Sequence, residues 1–197
     1  MDGQFYRAGA VEHLFSRLGT DTVSEMERPA LAFNFEPAVA QWFDGAFEAP
    51  TAAQTLGWQS ISAGQHTLIE APTGSGKTLA AFLWCVNELV AHPPRCASVS
   101  VLYISPLKAL NNDIQRNLQA PLAGISRAAQ VLGHSVPNIG TQVRTGDTSP
   151  SDRARQLRRP PDILITTPES LYLLLTSRKG APIFNSVRYV IVDEIHA

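Results

Sequence analysis

Between a short apolar run, Thr67–Glu70, and a helix-like segment lies Ala71-Pro72-Thr73-Gly74-Ser75-Gly76-Lys77-Thr78, and no other feature constrains the chain as tightly. Gly74 and Gly76 let the backbone take positive φ and curl successive N–H groups inward. A helix starting near Lys77 adds the partial positive charge of its N-terminus to the same concavity. Thr73, Gly74, Ser75, Gly76, Lys77 and Thr78 are therefore expected to cradle a triphosphate. Lys77 is expected on the β- and γ-phosphates, and the Thr78 hydroxyl on Mg²⁺. Ala71 stands where the tight form of this pattern has glycine, a departure that the looser form tolerates. A glycine-rich turn that merely ends in Lys-Thr is the bland alternative, and the strand–loop–helix context weighs against it.

A second signal lies near the C-terminus, where the β-branched run Val190–Val192 closes on Asp193-Glu194. Both carboxylates then sit at the carboxyl end of a strand. Asp193 is expected to hold Mg²⁺, directly or through water, and Glu194 to polarise an attacking water as general base. Alone, an acidic pair after a strand reads as well as a solvated helix N-terminus. Joined to a phosphate loop on one sheet, it points to nucleotide chemistry.

The patterning between these signals supplies the fold class. Short apolar runs occur at Thr67–Glu70, Val99–Ser105, Ile163–Thr167 and Val187–Asp193, with a weaker one at Ile139–Arg144. They are apolar throughout, as strands covered on both faces are. Helical spacing marks Thr78–Ala91, Leu107–Leu118 and Glu169–Thr176 between them, and Thr51–Ile61, ending at Gly64, before them. Strand and helix in alternation predict an α/β three-layer domain with a mostly parallel sheet and right-handed crossovers. Val39, Trp42, Phe43, Ala46 and Phe47 form an earlier helical stripe behind Pro37, read first as core. Residues 1–33 carry weak periodicity and are read as an N-terminal extension; residues 34–197 form the domain.

Composition excludes several classes. A formal charge of −1 argues against a uniformly basic coat but not against a local basic track. Arg153, Arg155, Arg158 and Arg159 crowd together and read equally as a solvated helix face or as such a track. Cys85 and Cys96, with no CxxC and no histidine at ligand spacing, exclude a disulfide scaffold and give no zinc signature. No stretch approaches the roughly 20 apolar residues of a membrane span. The N-terminus lacks a basic-then-apolar leader, so a cytoplasmic location is expected.

The two signals together resemble motifs I and II of the superfamily 2 helicases, and companions appear between them in order. Pro50-Thr51-Ala52-Ala53-Gln54 resembles the Q motif, which implies that Gln54 selects adenine. Ser105-Pro106-Leu107-Lys108-Ala109-Leu110 resembles motif Ia, Arg144-Thr145-Gly146-Asp147-Thr148 the TGD motif, and Thr167-Pro168-Glu169-Ser170-Leu171 motif Ib. The resemblance implies that Pro106, Leu107, Lys108, Arg144, Thr145, Gly146, Thr167, Pro168, Glu169 and Ser170 line a nucleic-acid face. Their amides, hydroxyls and charges suit a sugar-phosphate backbone. Phe-x-Pro at Phe35, the Trp42-Phe43 pair and the wording around each motif are similar to the Lhr (large helicase-related) family from Phe35 onward.

That resemblance implies a RecA-like, ATP- and Mg²⁺-dependent translocase moving 3′ to 5′ on single-stranded DNA. It also implies unwinding of duplexes, RNA–DNA hybrids among them, in DNA repair. His196 then relays nucleotide state. A second RecA-like lobe with arginine fingers, and further domains, are expected beyond Ala197, and the chain alone is expected to be inactive. Phe35 and Phe47 are candidates to stack on adenine, and either reads equally as core. An RNA-remodelling ATPase of the same superfamily and a truncated, non-catalytic nucleotide-binding module are the alternatives; a metabolic phosphate-loop kinase would lack PTxxQ, SPLKAL and TPES.

Overall fold

Proline and threonine start the first helices of the chain. The computed structural model describes residues 6–7, 33–94, 96–106 and 108–195, and divides into two compact units, one ending at Asn87 and the other starting at Glu88. In the first unit, Pro37 opens helix α1 (Pro37–Ala46), where its fixed φ and missing N–H cost nothing. Thr51 caps helix α2 (Ala52–Ser62) through a capping box with Gln54, and Gly64, at φ 73°, follows the helix end. Strand β1 (Tyr6–Arg7) pairs in parallel with β2 (Ile69–Glu70). Tyr6 and Arg7 fall in the stretch read as an extension; the rest of residues 1–32 lies outside the described residues. Helix α3 (Lys77–Ala91) begins at the end of the phosphate loop.

Aromatic packing forms the core of this unit. Trp58 meets Phe35 and Phe43 edge-on, at ring-centroid distances of 4.9 and 5.4 Å, and its Nε1 donates to the Ala80 carbonyl at 2.9 Å. Edge-to-face pairs of this kind add about 1 kcal/mol beyond area burial. Phe35 is therefore a core residue, whereas Phe47 stays 40% exposed.

The second unit is a four-stranded, all-parallel sheet in the order β4-β5-β3-β6: β3 (Val101–Ile104), β4 (Thr141–Arg144), β5 (Ile163–Thr166) and β6 (Tyr189–Val192). Alternation along the strands sends Leu102 and Leu164 to one face, where they cluster with Leu174 and Ile183. Helix α4 (Lys108–Val131) packs on β4 and β5 with Ile114, Leu118, Ile125 and Ala129 buried along one stripe. The sequence predicted this helix to end at Leu118. It runs on through Pro121, because burial of Ile125, Ala128 and Ala129 offsets the one backbone hydrogen bond that proline removes. Two helical segments escaped the periodicity argument: α5 (Pro150–Arg158), which carries the arginine cluster, and a 3₁₀ turn at Ala181–Phe184. Helix α6 (Pro168–Leu175) follows β5 directly.

Candidate nucleotide and nucleic-acid sites

The phosphate loop has the backbone that its glycines suggest. Gly74 and Gly76 lie at φ 83° and 82°, in the left-handed region that favours glycine. The Lys77 ammonium donates to the carbonyls of Ala71 and Pro72, folding over the loop's own entry. Ser75 Oγ is buried with no hydrogen-bond partner among the described residues, and its carbonyl accepts from Thr51 Oγ1 at 2.7 Å. A buried hydroxyl without a partner is costly unless something else satisfies it. An anion seated in the loop supplies acceptors there, so the loop fits the triphosphate its sequence implies. Thr73 and Thr78 are exposed at the same loop.

Gln54 is 3% exposed and serves the scaffold. Its Oε1 accepts from the Thr51 N–H at 2.8 Å, and a Cβ built on Gly76 would lie 2.7 Å from its Nε2. One end of the amide is thus spent on the capping box while the other rests against the phosphate loop.

In the second unit, strand register aligns the remaining motifs. Ile104 pairs with Thr166 and with Val192, and Thr166 pairs with Arg144. One residue further along, Ser105, Thr145, Thr167 and Asp193 all leave the carboxyl edge of one sheet, where parallel α/β sheets bind ligands. Ser105 N–H bonds the Thr166 carbonyl at 3.1 Å, and Asp193 N–H the Ile104 carbonyl at 2.9 Å, extending the ladder by one rung.

Asp193 is held at both carboxylate oxygens. Oδ1 accepts from the Glu194 N–H at 2.9 Å, and Oδ2 from the Tyr103 hydroxyl at 2.5 Å. Burial, and then the hydrogen bond to Asp193, push the Tyr103 hydroxyl well above its ordinary range, so it remains a donor. Glu194 sits at φ 53°, a left-handed conformation that costs a residue with a Cβ about 1–2 kcal/mol. Among the described residues no group of three or more His, Cys, Asp or Glu is placed to cage a metal. The Thr78 hydroxyl and the Asp193 carboxylate, each within its own unit, are oxygen donors of the class that Mg²⁺ takes beside waters and phosphate oxygens.

The hydroxyls expected to face nucleic acid are committed locally. Thr145 Oγ1 accepts from Asp147 N–H at 3.3 Å, and Thr148 Oγ1 from Thr145 N–H at 2.9 Å. Thr167 caps α6 through Ser170 N–H, with Pro168 in the first turn and Glu169 beside the positive helix end. Arg144 is half-buried, donating to the Arg153 carbonyl at 3.3 Å; burial first, and the neighbouring Arg153 charge second, lower its pKa. Pro106 is exposed and Lys108 opens α4, whereas Leu107 and His196 lie outside the described residues.

Two residues escaped the sequence reasoning. In the sequence Tyr103 is one residue of an apolar strand, although a phenol in a buried strand needs a partner for its O–H. In the sequence Arg153 is one of four clustered arginines that suit a solvated face and a basic track equally. Its guanidinium donates to the carbonyls of Thr145, Gly146 and Thr148, at 3.2, 2.7 and 2.8 Å. No spacing rule reveals that clamp, since it depends on how the turn folds back over α5.

A family model described as DEAD/DEAH box helicase matches residues 51–197. The chain belongs to this helicase family. Its relatives include the Lhr helicase/probable uracil glycosylase of Mycolicibacterium smegmatis, 54% identical over 165 residues, which are 83% of this chain and 11% of that protein. The ATP-dependent helicase Lhr-Core of Methanocaldococcus jannaschii is 42% identical over 192 residues, 96% of this chain and 22% of that one. The solved Mycobacterium smegmatis helicase Lhr bound to ssDNA and AMP-PNP matches with a TM-score of 0.80 and 50% identity, over 86% of this chain and 21% of that chain. Yeast DEAD-box splicing factor Prp28, at 20% identity and a TM-score of 0.66, shares the fold. The helicase chain thus has the RecA-like α/β fold of its relatives and the Lhr resemblance holds, but it spans between 11% and 22% of those curated relatives' length. No helix among the described residues is long and apolar enough to cross a membrane.

Proposed function

We propose that this chain is the ATP-binding lobe of an Lhr-type motor that translocates 3′ to 5′ on single-stranded DNA. In this reading the motor unwinds duplexes, RNA–DNA hybrids among them, and serves DNA repair in the cytoplasm. One observation carries most weight: a single register row sends the Ia, TGD and Ib segments and the Asp193-Glu194 pair off one sheet edge. The ssDNA and AMP-PNP held by the Mycobacterium smegmatis relative support the same pairing of ligands.

In this reading Lys77 leaves the carbonyls of Ala71 and Pro72 for the β- and γ-phosphates, and Ser75 Oγ gains its missing partner. Gln54 Nε2 remains a donor for adenine while Oε1 keeps the capping box. Thr78 and Asp193 would hold Mg²⁺, which when bound neutralises charge on the phosphate oxygens. Glu194 accepts the proton of the attacking water. On the other ligand, amides do most of the gripping. The carbonyls of Thr145 and Thr148 point at Arg153, so the trans peptide directs the N–H groups of Gly146 and Ser149 the opposite way, toward a phosphate. Glu169 and Ser170 lie in the first turn of α6, whose positive end faces the same edge, and His196 couples nucleotide state to the strand.

The test uses a fluorescent ATP analogue and a labelled single strand with the 197-residue chain. Lys77→Ala should weaken nucleotide binding by at least about tenfold, the value of a strong charge-assisted contact, and leave strand binding in place. Unaltered nucleotide affinity overturns the phosphate assignment. In the full-length protein, unwinding of a 5′-tailed but not a 3′-tailed duplex overturns the polarity.

A further inference from the structure

We propose that Tyr103 is a positioning residue for the Asp193 carboxylate, fixing the orientation in which it meets the divalent cation. This rests on the reading of Asp193 as the Mg²⁺ carboxylate. Tyr103 sits in the middle of β3, paired with Ile191 of β6, and is fully buried. A buried ring with only two χ angles has almost no freedom, so its hydroxyl is a fixed point rather than a mobile surface donor. That hydroxyl reaches across the strand pair to Asp193 Oδ2 at 2.5 Å. Its other partner is the Ser105 hydroxyl, one residue beyond the end of β3. Ser105, Tyr103 and Asp193 thus form a chain of hydrogen bonds that polarise one another.

The consequence for the carboxylate is geometric. Asp193 Oδ1 is tied to the Glu194 N–H and Oδ2 to Tyr103, one donor on each oxygen. Each oxygen has room for two, so among the described residues one acceptor direction per oxygen stays open, in a plane that the two donors fix. Mg²⁺ demands near-ideal octahedral geometry of its waters, and a carboxylate held in plane meets that demand without first being ordered. Removing the hydroxyl alone leaves charge, strand and core in place but frees the carboxylate to turn about its own axis. Tyr103 touches neither nucleotide nor water in this scheme; it acts through Asp193.

The experiment follows a fluorescent ATP analogue bound to the 197-residue chain while MgCl₂ is titrated. Tyr103→Phe is expected to raise the MgCl₂ midpoint about tenfold, as loss of an outer-shell partner does, and to leave metal-free affinity unchanged. In an Asp193→Ala background the same substitution should add nothing. A midpoint unchanged in Tyr103→Phe overturns the proposal. So does an equal fall with and without magnesium, which marks a merely structural role, or a full shift persisting in Asp193→Ala. Wild-type nucleotide binding with no magnesium dependence overturns the reading of Asp193 itself, and the positioning role with it. Should Tyr103→Phe not fold, ¹³C-tyrosine spectra of the wild-type chain decide. The Tyr103 Cζ resonance should move on adding Mg²⁺ with ATP but not ATP alone, and a resonance indifferent to magnesium overturns the proposal.

Discussion

Two glycines with nearly the same φ are not equivalent residues. Gly74 and Gly76 both lie in the left-handed region, so any side chain at either costs about 1–2 kcal/mol. Around Gly74 an added Cβ meets open space; at Gly76 it lands 2.7 Å from Gln54 Nε2 and 3.2 Å from its Cδ. Gly76→Ala must therefore displace Gln54, whose Oε1 accepts the Thr51 N–H of the α2 capping box. Chemical denaturation should show Gly74→Ala losing about 1 kcal/mol and Gly76→Ala about 2–3, the excess being the broken cap. Equal losses would mean that Gln54 moves freely and braces nothing. Nucleotide affinity should follow the same order, because only the second change disturbs the loop and its support together.

At the scale of elements, the arginine cluster on α5 divides into members that differ in kind. Arg153 binds three carbonyls of the turn at 145–148, whereas Arg155 makes one exposed pair with Asp152 at 2.8 Å. Arg153→Ala should cost about 1–3 kcal/mol, because the turn loses three hydrogen bonds to its carbonyls, and in the proposed reading it should weaken strand binding too. Arg155→Ala should change stability by less than about 1 kcal/mol, the usual worth of a surface ion pair. Thermal melts of both variants, with strand binding by anisotropy, check the contrast. Thr167→Ala should cost about 1 kcal/mol through loss of the α6 cap.

These elements also mark where the sequence is legible. Ile163–Thr166 and Tyr189–Val192 stand out as apolar runs because parallel strands bury both faces. Thr167-Pro168 and Thr51 announce helix starts, because capping is a local hydrogen bond between neighbours. The left-handed glycines of the loop at 71–78 and the strand that ends before Asp193 were legible for the same reason: each is set by a contiguous stretch. What escaped depends on contacts far apart in the chain. The hydroxyl of Tyr103 finds Asp193 ninety positions away only because β3 and β6 pair in register. Continuation of α4 through Pro121 likewise depends on a sheet that local propensity cannot see.

For the whole molecule, charge and hydrogen bonding together set how the proposed strand binding should respond to salt. A formal charge of −1 supplies no general attraction for a polyanion. The guanidinium of Arg153 is turned inward on carbonyls, and Arg144 is half-buried against α5. If the strand is gripped at the sheet edge by amides and helix starts, those contacts bind phosphates without displacing condensed counterions. Each phosphate neutralised by a cation on a single strand contributes about −0.7 to the slope of log K against log salt. One to three such contacts therefore give a slope between about −1 and −2. A slope steeper than about −4 would require the exposed Arg158, Arg159, Arg178 and Lys179 to carry the binding instead. Anisotropy titrations of a labelled oligonucleotide between about 50 and 200 mM salt, the range over which counterion release is read, separate the two. Charge-reversal at Arg158 and Arg159 supplies the decisive variant: a shallow slope that survives it places the strand at the carboxyl edge of β3, β4 and β5, held by main-chain groups that no tally of charged residues would find.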